Sequence, residues 1–163
     1  MLTHVAHDIP PVYDETSRVL ILGSFPSIKS REGHFFYNHP QNRFWKVIAG
    51  VFHEPLPTTI EEKKAMLLKC HVAVWDVIAQ CDIEGSSDSS IKNAVANDNE
   101  PILKVAPIQK IYCNGAKSWQ LYRKYILPVT GIEAEKLPST SPANAASSLE
   151  RLIEVWACIA QKN

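Results

Sequence analysis

The feature that most constrains the fold is the alternation of short strand-forming runs with segments of helical periodicity. Four runs rich in β-branched or other apolar residues, most of them ended by Gly, Pro or Asn, favour strands. They are Arg18–Gly23, His71–Ile78, Ile108–Cys113 and Ile132–Leu137. The segments between them place apolar residues three and four positions apart, as amphipathic helices do. Strands that alternate with helices predict a parallel sheet covered by helices on both faces.

The remaining segments fit a single domain over residues 1–163. Residues 1–16 are polar and contain two prolines, so we expect a loose lead-in. The segment from residue 81 to residue 99 is rich in Ser, Asp and Asn, which favours a long loop with one short helix near residues 91–96.

Capping residues predict where three helices begin. One helix is expected to start near Arg43, and Thr59 with Glu62 forms the sequence pattern of a capping box for the next. Ser141 or Asn144 is expected to cap the last helix, which carries apolar residues from position 149 to 160.

The composition argues against several classes of protein. A net charge of zero argues against a broad polyanion-coating surface, although a local basic patch remains compatible with it. No two cysteines are spaced as a metal-binding pair, so reduced thiols without metal are expected. The chain shows no secretory leader and no apolar run of membrane-spanning length, which favours a cytoplasmic location. The cysteines are Cys70, Cys81, Cys113 and Cys158.

Polar and aromatic side chains gather where the predicted strands end. In open α/β sheets the ligand crevice lies outside the carboxyl ends of the strands, so these residues are the candidate site. Aromatic rings that stack and amides that hydrogen-bond suit a planar heterocycle. Asp76 is expected at the mouth of its strand, because a buried carboxylate without partners is costly. The candidates are Gly23, Ser24, Phe25, Phe36, Tyr37, His39, Asn42, Trp75, Asp76 and Asn114.

Taken one at a time, several of these residues also have ordinary structural explanations. His39 alone is more often a hydrogen-bonding residue than a base, and Asn42 alone could cap the helix that follows. Asn114 in an Asn-Gly pair is a common turn residue. The chain contains no phosphate-binding loop, no GxGxxG and no GxSxG motif, which argues against nucleotide-hydrolase, dinucleotide and serine-hydrolase sites.

Three motifs, GSFPS, FYNHPQNRFW and LPSTSPAN, resemble those of the uracil-DNA glycosylase superfamily in the same order. The sequence is most similar to the hypoxanthine-DNA glycosylase branch, and HPQNRFWKVI also resembles the mismatch-specific uracil/thymine glycosylases. The resemblance implies a three-layer α/β/α fold around a four-stranded parallel sheet. It also implies a monofunctional glycosylase, expected to be a monomer without cofactor or metal, that flips a deaminated base from DNA and hydrolyses its N-glycosidic bond.

Two positions depart from the better-known uracil enzymes. Phe25 stands where those enzymes carry the Asp or Asn that positions water, and Leu137 stands where they carry a His or Asn that stabilises the departing base. The hypoxanthine branch shares both departures, and there the Asn of HPxN is the proposed catalytic residue. The resemblance therefore makes Asn42 the expected catalytic residue and favours deoxyinosine over uracil.

The resemblance also suggests roles for the other candidates. Tyr37 would stack on the base with Phe36 in reserve, Asn114 would contact the base edge or support the pocket wall, and Trp75 with Asp76 would form the floor. The expected DNA contacts are Arg43, Lys117, Ser139, Thr140, Ser141, Pro142 and Asn144.

Three alternative functions remain compatible with the sequence. The first is a mismatch uracil or thymine glycosylase. The second is a non-catalytic member of the superfamily that binds DNA or a nucleotide. The third is a doubly wound domain for another heterocyclic ligand, because fold alone does not determine function.

Overall fold

The computed structural model describes residues 2–160, which contain seven strands and seven α-helices. The strands are β1 (Thr3–Ala6), β2 (Val19–Gly23), β3 (Val72–Asp76), β4 (Ile78–Ile83), β5 (Lys92–Ala96), β6 (Lys110–Asn114) and β7 (Ala134–Leu137). The helices are α1 (Ile28–Gly33), α2 (Phe44–Phe52), α3 (Ile60–Lys69), α4 (Glu100–Val105), α5 (Ala116–Tyr125), α6 (Leu127–Thr130) and α7 (Leu149–Trp156). Within residues 2–160, none of these helices is long and apolar enough to cross a membrane.

Strands β3, β2, β6 and β7 form a parallel sheet in that order. Gly23 lies opposite Asp76, and Asn114 lies opposite Leu137, so all four carboxyl ends meet at one edge. The prediction of an α/β fold around a four-stranded parallel sheet is confirmed, and each predicted strand matches an observed one within a few residues.

Side chains of β2 alternate between the two faces of this sheet, as a strand requires. Ile21 packs with residues of α2, α3 and α7, whereas Leu20 and Leu22 pack on the opposite face with residues of α4, α5 and β4. All three side chains are fully buried, and each such burial contributes about 1.5–3 kcal/mol. The three layers of the predicted architecture are therefore present.

A second, antiparallel sheet in the order β1-β4-β5 was not predicted. Thr3 pairs with Ile83 and Ala6 with Gln80, and Val12 forms a bridge with Val74 of the parallel sheet. The expectation of a loose lead-in over residues 1–16 is therefore wrong, apart from residue 1, which lies outside the described residues. The strand signal was missed because β1 is short and largely exposed.

The expected loop over residues 81–99 is also wrong. Its first residues complete β4, and β5 returns antiparallel to β4 where a short helix was expected. The side-chain Nδ2 of Asn93 donates to the Asp82 carboxylate across the two strands at 2.7 Å. Polar cross-strand pairs of this kind hold an exposed hairpin together, and they carry none of the apolar alternation from which strands are predicted.

The predicted capping box is present at α3. The Glu62 amide donates to the Thr59 hydroxyl, and the Thr59 amide donates to the Glu62 carboxylate, each at 3.1 Å. The predicted caps for the last helix are wrong, because Ser148 caps α7 through the Arg151 amide at 3.1 Å. The residues before Ser148 form an ordered loop instead.

Candidate active site at the carboxyl edge of the sheet

A cavity of about 300 Å³ opens where the parallel strands end, at the predicted place. Gly23, Asp76 and Asn114 line it from the ends of three strands. The other walls come from the segment between β2 and α2, which includes α1, from the loop after β7 and from the β4–β5 hairpin. The predicted residues that line it are Gly23, Ser24, Phe25, Phe36, Tyr37, His39, Asn42, Asp76, Asn114, Ser139, Thr140, Ser141 and Pro142.

A chain of hydrogen bonds joins Asn42, Thr140 and Asn114 across the cavity wall. Thr140 is fully buried, and its hydroxyl donates to Asn42 Oδ1 at 2.9 Å. That hydroxyl accepts from Asn114 Nδ2 at 3.0 Å, while Asn114 Oδ1 accepts from the Thr140 amide at 3.0 Å. Thr140 was predicted to contact DNA. Its hydroxyl instead connects the two asparagines.

This chain fixes the orientation of the Asn42 carboxamide. Oδ1 also accepts from the Phe44 amide at 2.9 Å, and a backbone amide can only donate, so this atom must be the oxygen. Among residues 2–160 the Nδ2 group has no hydrogen-bond partner. Asn42 thus accepts from the first backbone amide of α2 with its oxygen and keeps its two N–H donors for the cavity that it lines.

Tyr37 is held in a conformation that costs energy. Its φ is +52°, a left-handed value that is unfavourable for a bulky residue and that occurs where surrounding structure enforces it. The ring stacks on Phe44 with centroids 4.0 Å apart and planes 18° apart, and its carbonyl accepts from Trp45 Nε1 at 3.2 Å. Phe44 thus covers one face of the ring of Tyr37, a residue that lines the cavity.

The cavity floor carries two buried polar groups without partners. The Tyr37 hydroxyl and Asp76 Oδ2 have no hydrogen-bond partner within residues 2–160. A Cβ built on Gly23 would lie 2.6 Å from Asp76 Oδ1 and 3.1 Å from the Tyr37 hydroxyl. Only glycine therefore leaves room for both groups at this point of β2.

Burial dominates the electrostatics of Asp76. The residue is 4% exposed, and loss of hydration raises the pKa of its carboxyl to about 8, with a further contribution from the negative charge of Asp88. The same loss of hydration raises the pKa of the Tyr37 phenol, and Asp76 adds to that shift. At neutral pH the floor is therefore largely uncharged.

His7 lies against Asp76 but is not a cationic partner for it. Its Nε2 is 3.9 Å from Asp76 Oδ2 and donates instead to the Ile78 carbonyl at 2.9 Å. Its Nδ1 accepts from the Ile9 amide at 3.3 Å, an arrangement that requires the neutral imidazole. Desolvation accordingly lowers the pKa of His7, so no positive charge balances Asp76 from this side.

Arg43, predicted as a DNA contact, binds three backbone carbonyls of the loop after β7. Its guanidinium donates to the carbonyls of Ser141 at 2.9 Å, Asn144 at 2.8 Å and Ser147. The Asn144 side chain turns inward and donates to the Ser139 carbonyl at 2.9 Å. The loop is therefore an ordered wall, with Ser141 and the exposed Pro142 at the cavity rim.

Four predicted site residues do not line the cavity: Trp75, Arg43, Lys117 and Asn144. Trp75 was expected in the floor, but its indole donates to the Ile9 carbonyl at 3.0 Å and packs between the two core clusters. Phe36 does line the cavity, yet it is only 2% exposed and belongs to the core.

The sequence prediction missed the contribution of the β4–β5 hairpin. Ser86 and the exposed Asp88 of this hairpin line the cavity, so Asp76 is not its sole acidic residue. No local signal marks them, because they reach the site through the pairing of two strands that were predicted as loop. Within residues 2–160, no group of three or more His, Cys, Asp or Glu side chains could hold a metal ion.

Comparisons with known proteins agree with this geometry. The family model described as the uracil DNA glycosylase superfamily matches residues 10–160. The chain belongs to the uracil DNA glycosylase superfamily. The resemblance stated from its motifs is confirmed, and so is the prediction of a DNA glycosylase, a hydrolase of N-glycosidic bonds.

Individual members of the superfamily cover almost the whole chain. A protein of Methanosarcina acetivorans named hypoxanthine DNA glycosylase is 34% identical over 95% of this chain and 98% of its own. One of the same name from Methanosarcina barkeri is 34% identical over 87% of this chain and 90% of its own. The solution NMR structure of a candidate uracil DNA glycosylase from M. acetivorans superposes with a TM-score of 0.81 at 32% identity, covering 97% of this chain and 98% of that one.

Proposed function

We propose that this glycosylase excises hypoxanthine from deoxyinosine in DNA, with the extruded base bound in the cavity at the carboxyl edge of the sheet. The names of the two Methanosarcina relatives support this substrate. The observation that carries the proposal is the cavity itself. The residues that line it include Asn42 with its oriented amide, and Tyr37 and Asp76, which carry two unpartnered buried polar atoms.

In this proposal Tyr37 stacks on the extruded base. Phe44 supports the tyrosine ring from behind at 4.0 Å, so the ring is rigid before the base arrives. Stacking on an aromatic side chain contributes about 1–3 kcal/mol per base. Opening the stacked duplex costs a few kcal/mol, so a ring that is already in place helps to offset it.

Asn42 is the proposed catalytic residue and positions the attacking water. Cleavage of a glycosidic bond passes through a sugar with oxocarbenium character, which is a strong electrophile. Water that accepts a hydrogen bond from Asn42 Nδ2 keeps a second lone pair for the sugar carbon. Because Thr140 and the Phe44 amide fix Oδ1, this donor is aimed without reorganisation.

The other parts of the proposal concern DNA and the working state. The ordered wall formed by residues 139–144 would enter the minor groove, with the exposed Pro142 leading, and Lys117 remains a candidate phosphate contact. We propose that the enzyme acts as a monomer, without metal or cofactor, on DNA at the nucleoid in the cytoplasm.

The test is single-turnover excision from duplexes that carry inosine, uracil, xanthine or a T·G mismatch. We expect free hypoxanthine and an abasic site from the inosine duplex at the highest rate. Faster release of uracil or mismatched thymine would instead favour a uracil- or mismatch-specific glycosylase. The structural neighbour described as a candidate uracil DNA glycosylase supports uracil as the second candidate substrate. Duplex binding without any abasic product would contradict a glycosylase.

The role of Asn42 is tested by two substitutions. Asn42→Ala should slow excision about 100-fold, in line with the loss of one oriented donor. Asn42→Asp keeps an oxygen for Thr140 and Phe44 but replaces the free donor by an acceptor, so it should be similarly slow at neutral pH. Full activity of Asn42→Asp would contradict a role for the amide as donor.

A further inference from the structure

The buried carboxyl of Asp76 has no function in the mechanism given so far. It lies at the end of β3, lines the cavity and is 4% exposed. Its Oδ2 has no hydrogen-bond partner among residues 2–160. A buried polar atom without a partner costs about 1–3 kcal/mol, so its retention at the floor of a ligand cavity needs an explanation.

We propose that Asp76 is a catalytic residue that acts as a neutral carboxylic acid and donates its proton to the departing base. This inference rests on the proposed function, because it assigns a group that touches the base excised at that site. The chemical class that it would recognise is a base with a carbonyl oxygen or a ring nitrogen directed at the cavity floor.

The surroundings of Asp76 explain why its acid form persists. His7 faces it from the segment after β1 and is neutral, since its Nε2–H is donated to the Ile78 carbonyl. Tyr37 faces it from the loop before α2 with an uncharged phenol. Asp88 on the β4–β5 hairpin adds negative charge, which opposes ionisation. Within the described part of the chain, His7 is the only basic group within 4 Å of the Asp76 carboxylate oxygens.

The backbone holds this carboxyl in position independently of its protonation. The Asp76 carbonyl accepts from Asn97 Nδ2 at 2.9 Å, and Gly23 leaves the space that Oδ1 occupies. The carboxyl therefore keeps its place at the cavity before the substrate enters, as a preorganised donor must.

The proposed step conserves atoms and charge. The bond between the sugar carbon and the base nitrogen breaks, and its electron pair goes to the base. The Asp76 proton moves to the base as negative charge develops on it. Water bonds to the sugar carbon and releases a proton, which restores the Asp76 acid through the solvent of the open cavity. The products are a neutral base and an abasic sugar.

The sign of the pH dependence follows from this role. The acid form is the active form, so the rate should be constant below the Asp76 pKa of about 8 and should fall tenfold per pH unit above it. A carboxylate that served as general base would give the opposite profile, with a rate that rises through the same range.

The experiment compares wild type, Asp76→Asn and Asp76→Ala in single-turnover excision of inosine between pH 6 and pH 10. Asn retains a donor and an acceptor but cannot ionise. Because an amide can donate a hydrogen bond but cannot transfer a proton, we expect Asp76→Asn to be about 100-fold slower than wild type at neutral pH and to lose the decline at high pH. Asp76→Ala should also be about 100-fold slower than wild type at neutral pH and should show no decline at high pH.

Two results would overturn the proposal. One is a folded Asp76→Asn enzyme that keeps the wild-type rate at neutral pH, which would mean that Asp76 transfers no proton to the base. The other is a decline at high pH that disappears in Asp88→Asn but persists in Asp76→Asn, which would assign the titration to Asp88.

A measurement without catalysis separates this proposal from the proposed function. Titration of the carboxyl carbons by ¹³C NMR should show a group with a midpoint near pH 8 that is missing in Asp76→Asn. If wild type releases no hypoxanthine but this titration is present, the substrate assignment fails and the neutral acid stands. A midpoint near pH 4 for Asp76 refutes the neutral acid whatever the substrate.

Discussion

Replacing Thr140 with valine should slow catalysis, because it removes the hydroxyl that connects Asn42 with Asn114 in the cavity wall. Valine matches threonine in shape but lacks the hydroxyl, which donates to Asn42 Oδ1 at 2.9 Å and accepts from Asn114 Nδ2 at 3.0 Å. The site is fully buried, so water cannot take the place of the lost group.

The loss of stability and the loss of excision rate in Thr140→Val can both be estimated from these hydrogen bonds. Asn114 Nδ2 loses its partner, while Asn42 Oδ1 keeps the Phe44 amide, so the free energy of unfolding should fall by about 2 kcal/mol. For a chain of this length that lowers the melting temperature by roughly 4–8 °C. The Asn42 amide also loses one of its two anchors, and imprecise positioning should slow single-turnover excision by about 10- to 100-fold with little change in duplex binding.

The assay is single-turnover excision of inosine below the melting temperature of every variant. Thr140→Ser keeps the hydroxyl and should retain most of the wild-type rate. Thr130→Val is a matched control, because Thr130 donates to the Ile126 carbonyl at 3.3 Å and lies outside the cavity lining. A folded Thr140→Val enzyme with the wild-type rate would refute the view that this hydroxyl aims Asn42.

Three further predictions concern residues that support the site or the surrounding fold. Gly23→Ala places a methyl group 2.6 Å from Asp76 Oδ1, so urea denaturation should show a loss of about 1–3 kcal/mol together with slower excision; unchanged stability would contradict the contact. Arg43→Met removes the hydrogen bonds to three carbonyls, so we expect faster proteolysis within residues 139–147 and weaker binding to duplex DNA. A digestion pattern identical to that of wild type would contradict this role of Arg43. Thr59→Ala breaks the capping box of α3 and should cost about 1 kcal/mol in thermal unfolding while excision stays at the wild-type rate.

The parallel sheet was predictable because each of its strands is marked by a short run of neighbouring residues in the sequence. Buried runs such as Val19–Leu22 carry their own strand signal, and Thr59 with Glu62 is a capping pattern within four residues. Since parallel strands place their carboxyl ends at one edge, the residues after each run could be assigned to one site before any contact was known.

Other parts of the site depend on distant contacts that no local pattern reveals. Arg43 could be taken for a phosphate contact because its three carbonyl partners lie about 100 residues away in the chain. Thr140 was expected at the DNA surface, but its partners Asn42 and Asn114 bury it. Asp88 enters the cavity through a hairpin whose polar strands have no apolar period.

The central claim is that this cavity excises hypoxanthine by means of Asn42. Its most direct test is the rate of hypoxanthine release from an inosine duplex, measured for wild type and Asn42→Ala under single-turnover conditions. We predict release by wild type and a rate about 100-fold lower for Asn42→Ala, with equal folding of both proteins. No release by wild type, or equal rates for the two enzymes, would contradict the claim.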